Sequence, residues 1–286
     1  MTIIGGDLRI VKLVEMLVKD GFELTTYALD LADSLSHIKE VRQAESLEKA
    51  LEASKIIVGP IPLSSNKKDI NTPFSKQTIS IQELMDQMEE KVFIAGSIGD
   101  VIYELAEKRN NKIIDLLKRE ELAVLNTIST AEGAIKIAIE ETTTTIHGSN
   151  ILVMGFGRIG KILANMLTGL GAKVSCEARK NSDLAWIKAY GYEPINLNEL
   201  DQKLGQFDII INTIPFLILE EKKLNLVKKD CLLIDLASNP GGIDREIAKQ
   251  KGIKTIWALS LPGKVAPLTS AEFIKETIYN ILKELN

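Results

Sequence analysis

Histidine and cysteine are scarce, with two of each in 286 residues. His37 lies in a polar segment and His147 just precedes a predicted strand. With so few histidines, neither a histidine-dependent dehydrogenase nor a histidine-ligated metal site is expected. Cys176 and Cys231 each sit inside an apolar strand pattern, reading as buried thiols in a reducing compartment and not as a disulfide or metal pair. Runs of one charge are missing too. Lys67-Lys68 and Lys222-Lys223 are too short for a nucleic-acid footprint, and 35 Lys+Arg stand against 39 Asp+Glu. No signal-peptide pattern and no apolar run of bilayer-spanning length is read from the sequence. A cytoplasmic protein without nucleic-acid or membrane partners is expected.

What is present is glycine at informative spacing. Ile151-Leu-Val-Met-Gly155-Phe156-Gly157-Arg158-Ile159-Gly160-Lys is an apolar strand running into three glycines and then an amphipathic helix. The chemistry of a dinucleotide site asks for a tight turn at Gly155, close backbone approach to a pyrophosphate at Gly157 and helix-on-strand packing at Gly160. The helix then turns its N-terminal N–H groups and positive dipole end toward the phosphates, with Arg158 beside them. His147, at the far end of that strand, reads as structural.

A second strand, Lys173–Glu177, follows Gly171. An acid about 20 residues past the glycines holds the ribose 2′-hydroxyl of NAD, whereas a nearby Arg accommodates the 2′-phosphate of NADP. Counting places Ala178 at the acid position, with Arg179, Lys180 and Ser182 just beyond. Two cations and a hydroxyl suit a phosphate, so NADP is the expected cofactor; a register one residue earlier would restore an acid, Glu177.

Strand and helix patterns alternate along the whole chain, which predicts an α/β fold of two Rossmann-like, doubly wound parallel-sheet domains with a cleft between them. Residues 1–125 read as an N-terminal Rossmann- or flavodoxin-like substrate domain, 126–147 as a linker helix, and 148–269 as the NADP-binding domain. The early elements are a strand at Thr2, a turn at Gly5-Gly6, a helix capped by Asp7, and strands near Phe22–Tyr27, Lys55–Val58, Val92–Ala95 and Ile113–Ile114. Ser64–Lys76 reads as a loop. The later strands fall at Asp208–Ile211, Cys231–Ile234 and Ile253–Ile256, and an amphipathic helix over 270–285 is expected to pack back on the first domain.

Several motifs occur in one order: Ile4-Gly-Gly-Asp7-Leu-Arg9, Asn126-Thr-Ile-Ser-Thr-Ala-Glu132-Gly133, Thr145-Ile-His-Gly148, Gly155–Lys161, Asn212-Thr-Ile-Pro215, Asp235-Leu-Ala-Ser-Asn-Pro-Gly-Gly242 and Leu261-Pro-Gly-Lys-Val-Ala-Pro267. Together they resemble the A subunit of dipicolinate synthase from endospore-forming bacteria, over nearly the full chain. The resemblance implies an NADP-linked oxidation of 4-hydroxy-tetrahydrodipicolinate, in which loss of water and then of two hydrogens gives pyridine-2,6-dicarboxylate. It also implies a partner, the B subunit, and the mother cell of a sporulating bacterium as the setting. A small dicarboxylate substrate and a homo-oligomer complete the expected partners.

Hydride transfer mainly needs positioning. Thr213, Ile214 and Pro215 end one nucleotide-domain strand and are expected beside the cofactor. Asp235, Ala237 and Ser238 end the next, with Asp235 able to orient the nicotinamide, act as a base or simply cap a helix. Gly241 and Gly242 would permit close approach, and Pro262-Gly263 offers a further loop near Lys264. A dicarboxylate calls for a cation; Arg9 is the first candidate and Lys264 the second. Thr127, Thr130 and Glu132 lie at the hinge, where Glu132 could accept a proton or cap the linker helix. The resemblance implies a basic residue where Asn239 stands. Two other readings remain open: an NADP-dependent dehydrogenase of another small carboxylate, and a non-catalytic NADP-sensing or scaffold protein.

Overall fold

The computed structural model describes residues 1–285. Its first strands and helices are β1 (Thr2–Ile4), α1 (Leu8–Lys19), β2 (Leu24–Tyr27), β3 (Val41–Gln43), α2 (Leu47–Glu52), β4 (Ile56–Val58) and α3 (Ile81–Gln87). There follow β5 (Val92–Ala95), α4 (Asp100–Glu107), β6 (Lys112–Asp115), α5 (Glu120–Glu141), β7 (Asn150–Met154), α6 (Arg158–Gly169) and β8 (Lys173–Ala178). Next come α7 (Asn181–Ala189), β9 (Glu193–Asn196), α8 (Leu200–Lys203), β10 (Ile209–Asn212), α9 (Glu221–Leu224) and β11 (Leu232–Asp235). The last elements are α10 (Arg245–Gln250), β12 (Thr255–Trp257), α11 (Leu261–Val265) and α12 (Pro267–Leu285).

Two compact units result: Met1–Ala123 with Ala266–Asn286, and Val124–Val265. Each holds a parallel six-stranded sheet. The first runs β3-β2-β1-β4-β5-β6 and the second, read from the other edge, β9-β8-β7-β10-β11-β12. The two orders are the same doubly wound topology, with helices covering both faces. That cover explains the apolar runs. In β7, Ile151 and Val153 face a core that includes Leu163, Ala164 and Leu167 of α6, while Leu152 and Met154 face Leu200, Leu204, Phe207 and Leu224. A strand buried on both faces carries no polar alternation, and each such side chain contributes about 2 kcal/mol of apolar burial.

In the first unit, Asp7 caps α1 by accepting the Arg9 N–H, and Ile10, Leu13, Val14 and Leu17 form its buried stripe. α12 packs against α1 within this unit. Lys275 and Tyr279 both hold Asp20, at 2.7 and 2.5 Å, and the Arg119 guanidinium forks onto Glu284 at 2.7 and 2.6 Å.

The structure departs from the sequence expectation at several elements. The edge strands β3 and β9 carry Arg42, Gln43, Glu193 and Pro194, so neither shows an apolar run; edge positions tolerate polar residues and proline. The helix read over 126–147 runs from Glu120 to Glu141. It is long and apolar enough to cross a membrane by length and composition, although its Ala131, Ala134 and Ala138 are fully buried in the core of the second unit. A Cβ on Gly133 of that helix would lie 3.1 Å from Leu261 and Val265 of α11. Pro262-Gly263 accordingly belongs to a short helix, not a loop.

Candidate dinucleotide site

The β7–α6 turn is shaped by two glycines. Gly155 has φ +88°, and a Cβ there would meet Thr213 Oγ1 at 2.6 Å. A Cβ on Gly160 would strike the Gly155 carbonyl, so the helix can start close to the strand only without a side chain. α6 is preceded by Gly157, whose N-cap position supplies no side-chain acceptor. A Cβ at Gly157 would meet nothing within 4 Å. A helix start with open space in front and no side-chain cap suits an anion. It lies where the strand order reverses, with β8 on one side of β7 and β10 on the other, the place where such sheets bind ligands. A dinucleotide pyrophosphate fits this cradle.

β8 sets the next group. Ala178, expected to read the ribose, is instead 5% exposed and packs in the core behind α6. The acid one residue earlier, Glu177, is bonded to the turn. The Gly155 N–H donates to the Glu177 carbonyl at 3.2 Å and to Glu177 Oε2 at 3.3 Å. Glu177 is 0% exposed and its Oε1 has no hydrogen-bond partner. Burial pushes its pKa up, while the Gly155 N–H and the Arg179 charge pull it down. Arg179, Lys180 and Ser182 are exposed around the start of α7. Phe156 packs inward against Tyr190 and Tyr192, and Ile159 packs on the same core, so both offer a ligand backbone only.

The ends of β10 and β11 are tied to each other. Asp235 is 0% exposed and accepts from Asn212 Nδ2 at 2.8 Å, from the Ala237 N–H at 3.1 Å and from the Gly242 N–H at 2.8 Å. Asn212 Nδ2 also donates to the Ile214 carbonyl at 3.0 Å. Gly241 has φ +85°, and a Cβ there would stand 2.6 Å from Asp235 Oδ2; a Cβ at Gly242 would strike Asn212. Trp257 Nε1 donates to the Ala237 carbonyl at 2.9 Å, with Arg245 stacked 3.7 Å over its ring. The expected base role for Asp235 does not fit this geometry. Both oxygens are occupied holding the 236–242 loop, and the glycines are needed by Asp235 and Asn212 before any substrate arrives. Thr213 likewise directs its hydroxyl to the Met154 carbonyl at 2.8 Å, which leaves Pro215 and Ser238 as the exposed tips of these loops.

Other expected residues are occupied or apart. Arg9 is 7% exposed; it forks onto Asp7, with Nη2 to Oδ2 at 2.7 Å, and also bonds the Ile61 carbonyl. An arginine so neutralised is a poor carboxylate receptor. Thr127 and Thr130 turn their hydroxyls back onto α5 carbonyls, of Val124 at 2.6 Å and Asn126 at 2.8 Å. Glu132 lies in the interior of α5, so it caps nothing, and it is exposed, as is Lys264 on α11. Pro262 and Gly263, expected to border the substrate, are half-buried in that helix. No hydrogen bond or ion pair among the described residues joins Glu132, Asp235 and Lys264. Asn212 opens the turn expected to border the cofactor, and the sequence gives no sign that it holds Asp235. What the sequence does show is a polar residue closing an apolar strand; the structure puts it in register with Asp235.

Fold and turn define a chain with a Rossmann-type nicotinamide-dinucleotide domain of the dehydrogenase kind. Residues 122–241 match the D-isomer specific 2-hydroxyacid dehydrogenase NAD binding domain, and residues 1–117 match the N-terminal domain of the dipicolinate synthase A subunit. The dipicolinate synthase A subunit of Bacillus subtilis (strain 168) is 31% identical over 287 aligned positions, spanning 100% of this chain and 96% of that protein. The crystal structure of the A subunit from Bacillus halodurans superposes with TM-score 0.90 at 31% identity, over 98% of this chain and 96% of that one. The crystal structure of the corresponding Bacillus subtilis protein gives TM-score 0.90 at 31% identity, over 99% and 95%. The chain belongs to the family of dipicolinate synthase A subunits.

Proposed function

We propose that this chain is the dehydrogenase component of a dipicolinate synthase. Its substrate is 4-hydroxy-tetrahydrodipicolinate or the dehydrated product, and pyridine-2,6-dicarboxylate is what leaves. The observation carrying this reading is the Gly155–Gly160 turn with its open helix start, in a chain similar end to end to dipicolinate synthase A subunits. Bound NADP would supply the hydride acceptor; loss of water and of one proton completes the balance.

This chain's residues have the binding and orienting tasks. The N-terminal N–H groups of α6 hold the pyrophosphate. Arg179, Lys180 and Ser182 take the 2′-phosphate, and Arg supplies planar paired donors for it. Asn212 and Asp235 hold the 213–215 and 236–242 segments rigid, so that positioning costs little when ligand arrives. Glu132 is retained as proton acceptor and Lys264 as the cation for a substrate carboxylate, both being exposed side chains. The B subunit is the partner implied by the relatives' designation as A subunits, and the cytoplasm of the sporulating mother cell is the setting.

The test follows absorbance at the NADPH band with purified chain, NADP⁺ and freshly generated 4-hydroxy-tetrahydrodipicolinate, with and without the B subunit. NADPH and pyridine dicarboxylate rising together support the reading. A flat trace in both, despite measured dinucleotide binding, overturns it. A second reading, oxidation of another small carboxylate, draws on the 2-hydroxyacid dehydrogenase match; it expects turnover of 2-hydroxy acids by this chain alone.

A further inference from the structure

A dicarboxylate substrate has two anionic ends, and Lys264 accounts for one. The segments that directly follow β10, β11 and β12, residues 213–220, 236–245 and 258–266, hold two cations, Arg245 and Lys264. Sheets of this kind bind ligands at these C-terminal strand ends. Arg245 opens α10, three residues past Gly242. It is exposed, and no hydrogen bond or ion pair among the described residues uses its guanidinium. The neighbouring acid, Asp244, is committed to the helix cap, where its carboxylate accepts from the Ile247 N–H at 3.0 Å.

What holds Arg245 is an aromatic face. Its Cζ stands 3.7 Å over the Trp257 ring. Trp257 closes β12 in register with Asp235, and its Nε1 donates to the Ala237 carbonyl at 2.9 Å. The indole is therefore tied to the loop that Asp235 holds. Stacking engages the flat face of a guanidinium and leaves its N–H donors in plane around the edge. A braced, planar cation with its donors unused suits a carboxylate, which meets an arginine fork through two parallel hydrogen bonds. Helix stability gives Arg245 no reason to stand there, because a cation is favoured in the last turn of a helix and not in the first.

Resting on the reading of this chain as a dipicolinate-forming dehydrogenase, we propose that Arg245 receives the second carboxylate of the substrate. It thereby sets the preference for a dicarboxylate over a monocarboxylate, and Trp257 is its positioning residue. The two cations differ in what they supply. Lys264 is a point charge on a flexible stem, whereas the stacked Arg245 fixes direction as well as charge. Arg245 shares no hydrogen bond with the Gly155–Gly160 turn, so dinucleotide affinity is a separate readout.

Calorimetric titration of the full chain, with the B subunit and saturating NADPH, compares pyridine-2,6-dicarboxylate with pyridine-2-carboxylate. Wild type should favour the dicarboxylate. Arg245→Met should bind it about 10- to 100-fold more weakly, the size of one charge-assisted contact, while its affinities for the monocarboxylate and for NADPH hold. Arg245→Lys, which keeps the charge without the planar fork, should fall between. Trp257→Leu should lose part of the same preference with the arginine still present. An Arg245→Met protein that keeps the wild-type preference overturns the proposal, and so does an equal loss for both pyridines. A matching fall in NADPH affinity also overturns it, because the residue then serves the cofactor or the fold. If wild type binds neither pyridine although NADPH binds, the substrate reading itself falls and takes this role for Arg245 with it.

Discussion

The two units share one topology but treat the same turn in opposite ways. In the first, the Gly5 N–H donates to the Tyr27 carbonyl at 2.9 Å; in the second, the Gly155 N–H donates to the Glu177 carbonyl at 3.2 Å. These are equivalent positions, at the ends of the central strands β1 and β7. Beyond them the units diverge. Asp7 caps α1 with its side chain, and the Arg9 guanidinium binds Asp7 and the Ile61 carbonyl. Gly157 gives α6 no side-chain cap and leaves open space in front of it. A fold that can bind a dinucleotide does so only where the chain leaves its helix start for a ligand.

The sharpest way to break the contrast is Gly160→Val. Its side chain collides with the Gly155 carbonyl, so dinucleotide affinity should fall about 100-fold or more, with about 3 kcal/mol of stability lost; calorimetric titration and thermal melting read the two effects. Asp235→Ala leaves one Asn212 amide hydrogen and two backbone N–H groups without an acceptor, and should cost about 3–5 kcal/mol. Denaturant unfolding checks it, and a stable protein that has lost only turnover would revive the base role. Arg179→Ala should weaken NADP about tenfold, near 1.4 kcal/mol, and leave NAD nearly unchanged; equal losses for both would make Arg179 an ordinary surface charge. Arg9→Met, the counterpart in the filled turn, should cost about 1–2 kcal/mol of stability and leave dinucleotide Kd untouched. If KM for the dicarboxylate rises with stability intact, Arg9 belongs to the substrate after all.

Legibility in the sequence differs by level. The glycine spacing and the apolar strand before it were legible because much of the constraint is local: Gly155 takes a positive φ, and Gly160 is excluded from carrying a Cβ by the Gly155 carbonyl five residues earlier. Interior strands were legible because burial on both faces leaves a continuous apolar run. The edge strands β3 and β9 were not, since half of each faces water and the composition is that of a loop. Which side chain of β8 meets the turn was not legible for a related reason. Alternate side chains of a strand face opposite sides, and which side reaches the turn depends on the register of β8 against β7.

Residue types and spacing by themselves determined the class of fold, the location of the dinucleotide turn and the family resemblance, because those follow from local backbone sterics and from the periodicity of burial. Only the tertiary structure decided which polar groups are free to act. Asp235 and Arg9 looked available in sequence and are occupied by partners 7 and 52 positions away, Gly242 and Ile61; Glu177, charged in sequence, is fully buried against the Gly155 N–H. A side chain's chemistry is set by what it already bonds, and those bonds are made by segments the fold brings together.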